Sequence, residues 1–238
     1  MFGGGCGHNA LLNNALFALV IVPIQTTLAL GLALLLNRPL KGMALFRTLF
    51  FMPVVFPMAL VSVIWTIIYA PGSDGMMNAF LRFMTLGFWQ PQDFLHDPVL
   101  ALPAVMLLSI WQGVGFQMVI ILAGLQSIPT SLYEAAAIDG SDRWNQFRYI
   151  TLPQLRNTLI FVVLVTTILS FRLFDSVRIM TRGGPNDATT TVMNEAIKAA
   201  FDQQKMAKGS AITVIFFLIV LVITLLQRLL VQEEKAIE

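Results

Sequence analysis

At 238 residues, with 57% hydrophobic and 12% charged residues, the chain holds about half the charge usual for a soluble domain. That leaves too little polar surface to keep it in water. A formal net charge of +2 gives no hint of nucleic acid, and a single cysteine excludes an internal disulfide framework.

The chain opens on a Gly-rich stretch, Gly3 to Gly7, holding Cys6 and followed by His8. A Cys-x-His pair offers two potential metal ligands with no others nearby, so the stretch reads as a terminus. It lacks the basic start of a cleavable signal peptide. Five apolar runs follow, about 20 residues each, which is the length needed to cross a hydrocarbon core as a helix. They cover Ala10 to Leu36, Thr48 to Ala70, Val99 to Leu125, Thr158 to Met180 and Ser210 to Val231. Backbone polar groups in lipid must be satisfied within the segment, so these runs are expected to be helical. Pro23, Pro53, Pro57 and Pro103 lie in or near run ends, where proline removes a backbone hydrogen bond and kinks a helix. Gly113, Gly115 and Gly124 punctuate the third run and permit close helix approach. Such irregularity suits a bundle around a cavity better than a plain anchor.

Basic residues in short loops favour the cytoplasm. The first loop carries Arg38, Lys41 and Arg47; the second holds Arg82 against Asp74, Asp93 and Asp97; the third holds Arg143, Arg148 and Arg156. The fourth is ambiguous, with Arg182, Lys198, Lys205 and Lys208, and the tail holds Arg228 and Lys235. The contrast between the first two loops places the N-terminus outside and the C-terminus inside, with the third loop, 126–157, in the cytoplasm.

That third loop has a readable local code. Ser131 and Glu134 have capping-box spacing after Pro129, and Ala135, Ala136 and Ala137 favour helix. Gly140 suits a left-handed stop. Ser141 or Asp142 then caps a second helix carrying Trp144, Phe147 and Ile150, expected to end before Leu152-Pro153. The result is a helix-turn-helix at the membrane's inner face. Its chemistry allows two readings: Glu134 caps and Trp144 anchors at the interface, or the small-residue surface docks into a partner.

The residues Glu134-Ala135-Ala136, then Asp139-Gly140 and Leu152-Pro153, resemble the EAA loop of binding-protein-dependent permeases. In place of that family's usual Ala after the Gly stands Ser141. The resemblance extends over nearly the whole chain. Gly31, Asn37-Arg38, Phe46-Arg47, Pro53 and Trp65 look like the carbohydrate-permease subfamily typified by the maltose importer. So do Trp111, Gly124-Leu125, Ile128-Pro129 and Thr181-Arg-Gly-Gly-Pro185 with Thr189. The resemblance implies an all-α membrane protein with the type I ABC importer permease fold. It would be a single permease domain, 1–238, of about five transmembrane helices with a cytoplasmic helix-turn-helix coupling loop at 126–157. Members usually have at least six helices with the N-terminus inside, so the first family helix, which wraps against the partner permease, is expected to be missing here.

The resemblance further implies a non-enzymatic subunit of an importer for a sugar or sugar-like polyol in a bacterial or archaeal plasma membrane. Its partners would be a second permease, two ATP-binding subunits and an extracytoplasmic solute-binding protein. No cofactor would be bound by this chain; ATP and Mg would sit on the partner ATPase. Glu134, Ala135, Ala136, Asp139 and Gly140 would form the ATPase-coupling surface. By alignment on Trp-x-Gly and on Gly183-Gly184-Pro185, the substrate path would include Gln112, Gly113, Phe116, Thr166, Leu169, Ser170 and Leu173. From the residues themselves, Thr166, Thr167 and Ser170 could bond sugar hydroxyls or their own helix carbonyls. Trp111 and Phe116 suit stacking on a sugar ring or ordinary helix packing. Arg172, Asp175 and Arg178, three apart, form either a polar lining or a neutralised Arg172–Asp175 pair.

No G-x-x-x-x-G-K-[ST] phosphate loop occurs, so ATP hydrolysis by that route is excluded. The alternatives are a secondary carrier or a non-sugar ABC importer permease. A secondary carrier is disfavoured by the lack of an internal repeat. An intramembrane enzyme is disfavoured because His8 and His96 both lie outside the apolar runs.

Overall fold

A computed structural model describes residues 6–38, 41–73 and 75–233, with side chains over 8–229 of these. Asp74 and Lys235 from the charge reading, and Gly3 to Gly5, lie outside the described residues. Every regular element among the described residues is helical: α1 Cys6–Leu36, α2 Met43–Val55, α3 Met58–Ile68, α4 Met76–Met84, α5 Ala101–Gln126, α6 Thr130–Ile138, α7 Arg143–Gln146, α8 Leu152–Phe171, α9 Asp175–Met180, α10 Val192–Ile197 and α11 Met206–Glu233. Two widened π turns, Phe147–Thr151 and Lys198–Asp202, interrupt this series. Cys6 and His8 thus belong to the first turns of α1.

Four stretches are long and apolar enough to cross a membrane, and a fifth counts if α2 and α3 form one broken span. The second apolar run is therefore two helices, not one. Pro57 disfavours helical geometry at Phe56 and itself adopts extended geometry (φ −56°, ψ 135°), so α2 stops and α3 restarts. Pro53, by contrast, is accommodated inside α2.

The described chain forms two compact units. One comprises residues 56–109 and 168–227 with the N-terminal part of α1 through Ile21; the other comprises 22–55, 110–167 and the end of α11 from Arg228. In the second unit, Ala29 and Ala33 of α1 pack with Met118, Ile121 and Leu125 of α5 and with Leu155 and Val162 of α8, all buried. The α5 glycines set how closely the helices meet. A Cβ at Gly115 would strike the Phe50 carbonyl oxygen of α2. One at Gly113 would strike the Gln25 amide of α1, and one at Gly124 would lie 2.7 Å from Thr158 Oγ1 of α8. Arg47 Nη2 donates to the Leu36 carbonyl at 2.7 Å, satisfying a terminal acceptor of α1.

In the first unit, α3 packs on α9. Trp65, Tyr69 and Phe94 stack in sequence with centroid separations of 5.3 and 5.4 Å, and the Tyr69 hydroxyl donates to the Ala104 carbonyl. Ala10 and Ala18 of α1 pack with Phe171, Val192 and Phe216. Asn14, fully buried, accepts from Val192 N at 2.9 Å and donates to the Phe171 carbonyl. Next to it, Asn13 donates to the carbonyls of Asp187 and Thr190.

Leucine, valine and phenylalanine cover the outside of the long helices. Leu19, Leu35, Phe217, Val222 and Leu229 are more than half exposed. In water that surface would be a liability; against hydrocarbon it is the solvated face. This is a multi-pass membrane protein.

Candidate functional site

The helix-turn-helix forms, with two differences from its sequence code. Helix α6 begins at Thr130, with extended Pro129 as its N-cap and no side-chain cap bond. Ser131 therefore lies inside the first turn, and the expected Ser131–Glu134 capping box is absent. The stop behaves as expected: Gly140 has φ +77°, Ser141 N donates back to Ala136 O at 2.9 Å, and Gly140 N donates to Ala137 O. Asp142, not Ser141, caps the next helix, its carboxylate accepting from Asn145 N at 2.8 Å.

The second helix does not end before Leu152-Pro153. It runs from α7 through the π turn into α8, so that Arg143 to Phe171 is one long helical stretch. A proline inside an α-helix clashes with the carbonyl four residues back. Here the turn before Pro153 is widened, with Leu152 N bonding Phe147 O five residues back, and the ring is accommodated without a break. The Tyr133 hydroxyl lies 2.9 Å from Thr151 Oγ1 and ties α6 to that turn. Tyr133→Phe should lower stability by about 1 kcal/mol and be non-additive with Thr151→Val, measured as melting of the purified chain.

On α6, Tyr133 and Ala136 are the half-buried side, whereas Glu134, Ala135, Asp139 and Gly140 are exposed. Ala136 is thus set apart from the other four. Ile138, missed in the sequence, is 87% exposed between Glu134 and Ala135 around the helix. Its signal was an isoleucine ending an alanine run with no core to fill. Trp144 is exposed and stacks on Phe147 at 5.7 Å.

The other candidate residues divide between the two units. In one, Gln112 is buried, Gly113 abuts Gln25, and Phe116 is partly exposed. Thr166, also buried, donates to Val162 O at 2.7 Å and accepts from Gln117 Nε2 at 2.6 Å. Gln25 and Gln117, both buried within apolar helices, were not singled out from sequence, although a glutamine at membrane depth is itself a signal. The Gln117 Oε1 is buried with no hydrogen-bond partner.

In the other unit, Leu169 is exposed and Ser170 buried. Leu173 is buried where its carbonyl accepts the Thr191 hydroxyl. Of the two readings of Arg172, Asp175 and Arg178, the neutralised Arg172–Asp175 pair does not form. Helix α8 ends at Phe171 and irregular Phe174 (φ −141°, ψ −59°) precedes α9, so the two are not neighbours on one helix. Arg178 instead pairs with both carboxylate oxygens of Asp202, at 3.0 and 2.9 Å.

The Thr181-Arg-Gly-Gly-Pro185 segment folds on itself. Thr181 and Thr189 hydroxyls lie 2.6 Å apart, and Thr189 bonds Gly184 O. Thr190 bonds Glu195, and Thr191 caps α10 through Asn194 N. Gly183, at φ +88°, has no room for a Cβ, which would lie 2.7 Å from Asn194 Nδ2.

The family model described as binding-protein-dependent transport system inner membrane component matches residues 25–235. The chain belongs to this family. It is a permease component of a binding-protein-dependent transport system. A probable ABC transporter permease of Pyrococcus horikoshii is 35% identical over 216 residues, 91% of this chain and 73% of that protein. The trehalose/maltose transport system permease MalF of Thermococcus litoralis is 35% identical over 88% of this chain and 69% of its own length. The lactose transport system permease LacF of Rhizobium radiobacter is 33% identical over 95% and 76%. Among solved structures, a bacterial ABC transporter importing the acidic polysaccharide alginate superposes with TM-score 0.86 at 20% identity, covering 98% of this chain and 81% of that one. That likeness concerns the fold.

Proposed function

We propose that this permease forms, with a second permease, the translocation path of an ATP-driven importer for a sugar or sugar-like polyol. It lies in a bacterial or archaeal plasma membrane, with its N-terminus outside and its C-terminus in the cytoplasm. An extracytoplasmic binding protein delivers the cargo. Two separate ATPase subunits hold ATP and Mg and do the hydrolysis; this chain binds no cofactor.

The observation that carries the coupling role is the outward face of α6. A helix of small side chains presents Glu134, Ala135, Ile138 and Asp139 together, ended by the left-handed Gly140. Small residues let the backbone approach a cleft closely, and the acids fix orientation. Closure of the ATPases on ATP then moves α6, and the helical stretch beginning at Arg143 carries that motion into the membrane. The sugar reading is supported by the relatives named for trehalose and maltose and for lactose.

Co-purification with candidate ATPase subunits tests coupling. Wild type should retain them, while Glu134→Ala should weaken capture roughly ten-fold or more if its carboxylate is paired in the interface. Gly140→Pro, which cannot take φ +77°, should abolish it while leaving the membrane helices' melting unchanged. Failure of wild type to capture any ATPase, where a related permease does, overturns the reading. Cargo class is read from sugar-induced melting shifts of the cognate binding protein; an amino acid as its ligand would sink the sugar assignment.

A further inference from the structure

Helix α4 carries exposed apolar side chains along one side. Its inward side is pinned by Asn78, with Met77 and Leu81 half-buried beside it. Asn78, 1% exposed, donates to Gln92 O at 2.8 Å and accepts from Trp89 Nε1 at 3.1 Å and Gln92 N at 2.9 Å. Its outward side carries Met76, Phe80, Phe83 and Met84, each more than half exposed. Arg82, exposed and one turn on from Asn78, is the only charged residue of the helix and lies away from that apolar face. The chain then spends backbone strain to extend the apolar face. Leu86 takes φ +53°, a left-handed conformation unfavourable for leucine, and is 89% exposed; Phe88 follows at 88%.

The position of this face decides its occupant. A Cβ on Gly75 would meet the Ala70 carbonyl oxygen, so the connecting segment closes on itself and α4 starts where α3 ends. Helix α3 belongs to the broken membrane pair and exposes Leu60, Val63, Ile64 and Ile67. The apolar surface of α4 thus adjoins the end of a lipid-facing surface, at the depth where hydrocarbon gives way to headgroups. Phenylalanine, methionine and leucine on one face with an arginine on the opposite side is the composition of a helix lying in that boundary, the rings among the acyl chains and the guanidinium reaching the phosphates.

We infer that α4 and the following Leu86–Phe88 turn form an interfacial anchor, inserted in the bilayer leaflet at the end of α3. The anchor holds the loop between the second and third apolar runs flat on the membrane through Asn78. Anionic lipid strengthens it through Arg82.

Nitroxide accessibility tests this in the permease purified with its partner subunits and placed in nanodiscs of phosphatidylethanolamine and phosphatidylglycerol. In a Cys6→Ser background, spin labels are attached at Phe83→Cys and, separately, Leu86→Cys. Both labels should collide more often with lipid-partitioned oxygen than with a water-soluble nickel chelate. The opposite order would put the face in water and overturn the anchor. Inaccessibility to both reagents would assign the face to a protein subunit and overturn it equally.

Discussion

Gly115→Ala should be the most damaging single-methyl substitution in α5, costing about 3 kcal/mol or more and sharply lowering the yield of folded protein. The obstacle is main chain: the new Cβ would collide with the Phe50 carbonyl oxygen and lie 2.7 Å from the Phe50 carbonyl carbon. Neither can rotate away, so α2 must retreat from α5 as a whole, and packing along the contact is lost. Gly113→Ala makes an informative contrast. Its obstacle is the Gln25 amide at the end of a flexible side chain, with Gln25 Cδ 3.2 Å away. Gln25 can swing aside, so Gly113→Ala should cost less, and Gln25→Ala should recover most of the loss. Melting temperatures in one detergent measure both. A lower value for Gly113→Ala than for Gly115→Ala would contradict the helix spacing described.

Asn14→Leu should cost about 2–4 kcal/mol, because it strands two polar groups at once in a buried setting. Val192 N loses its acceptor, and the Phe171 carbonyl loses a donor. Those two points hold the start of α10 and the end of α8 to α1, on either side of the loop containing Gly183. Loosening should therefore be local before it is global. Arg182 is exposed in that loop, so trypsin should nick the variant there faster than wild type. Unchanged nicking together with a lowered melting point would mean the bonds stabilise the chain without fastening the loop.

Much of this was legible in sequence because it is local. The length of the apolar runs, the left-handed need at Gly140 and the capping chemistry of Asp142 depend on neighbours within a few residues. What was hidden depends on register or on distant segments. Pro53 and Pro57 look alike on paper; only Pro57 sits where the preceding residue leaves the helix. The capping box failed because α6 starts one residue before Ser131. Arg172 and Asp175 have ideal spacing for a pair on a helix, but α8 stops at Phe171, just before both. Gln25 is legible only as a polar residue in an apolar run until α5 brings Gly113 against it.

The widened turn at Phe147–Thr151 has a consequence for which side of α8 faces inward. A π turn holds one residue more than an α turn, and each residue of an α-helix advances about 100° around the axis. Every side chain beyond Leu152 is therefore rotated by about that angle from where an unbroken α-helix would put it. Leu155, Val162 and Thr166, at intervals of seven and four, are the residues this rotation turns inward. Which residues meet Gln117, and which meet lipid, is thus chosen in the loop by a change of helical phase before the membrane segment begins.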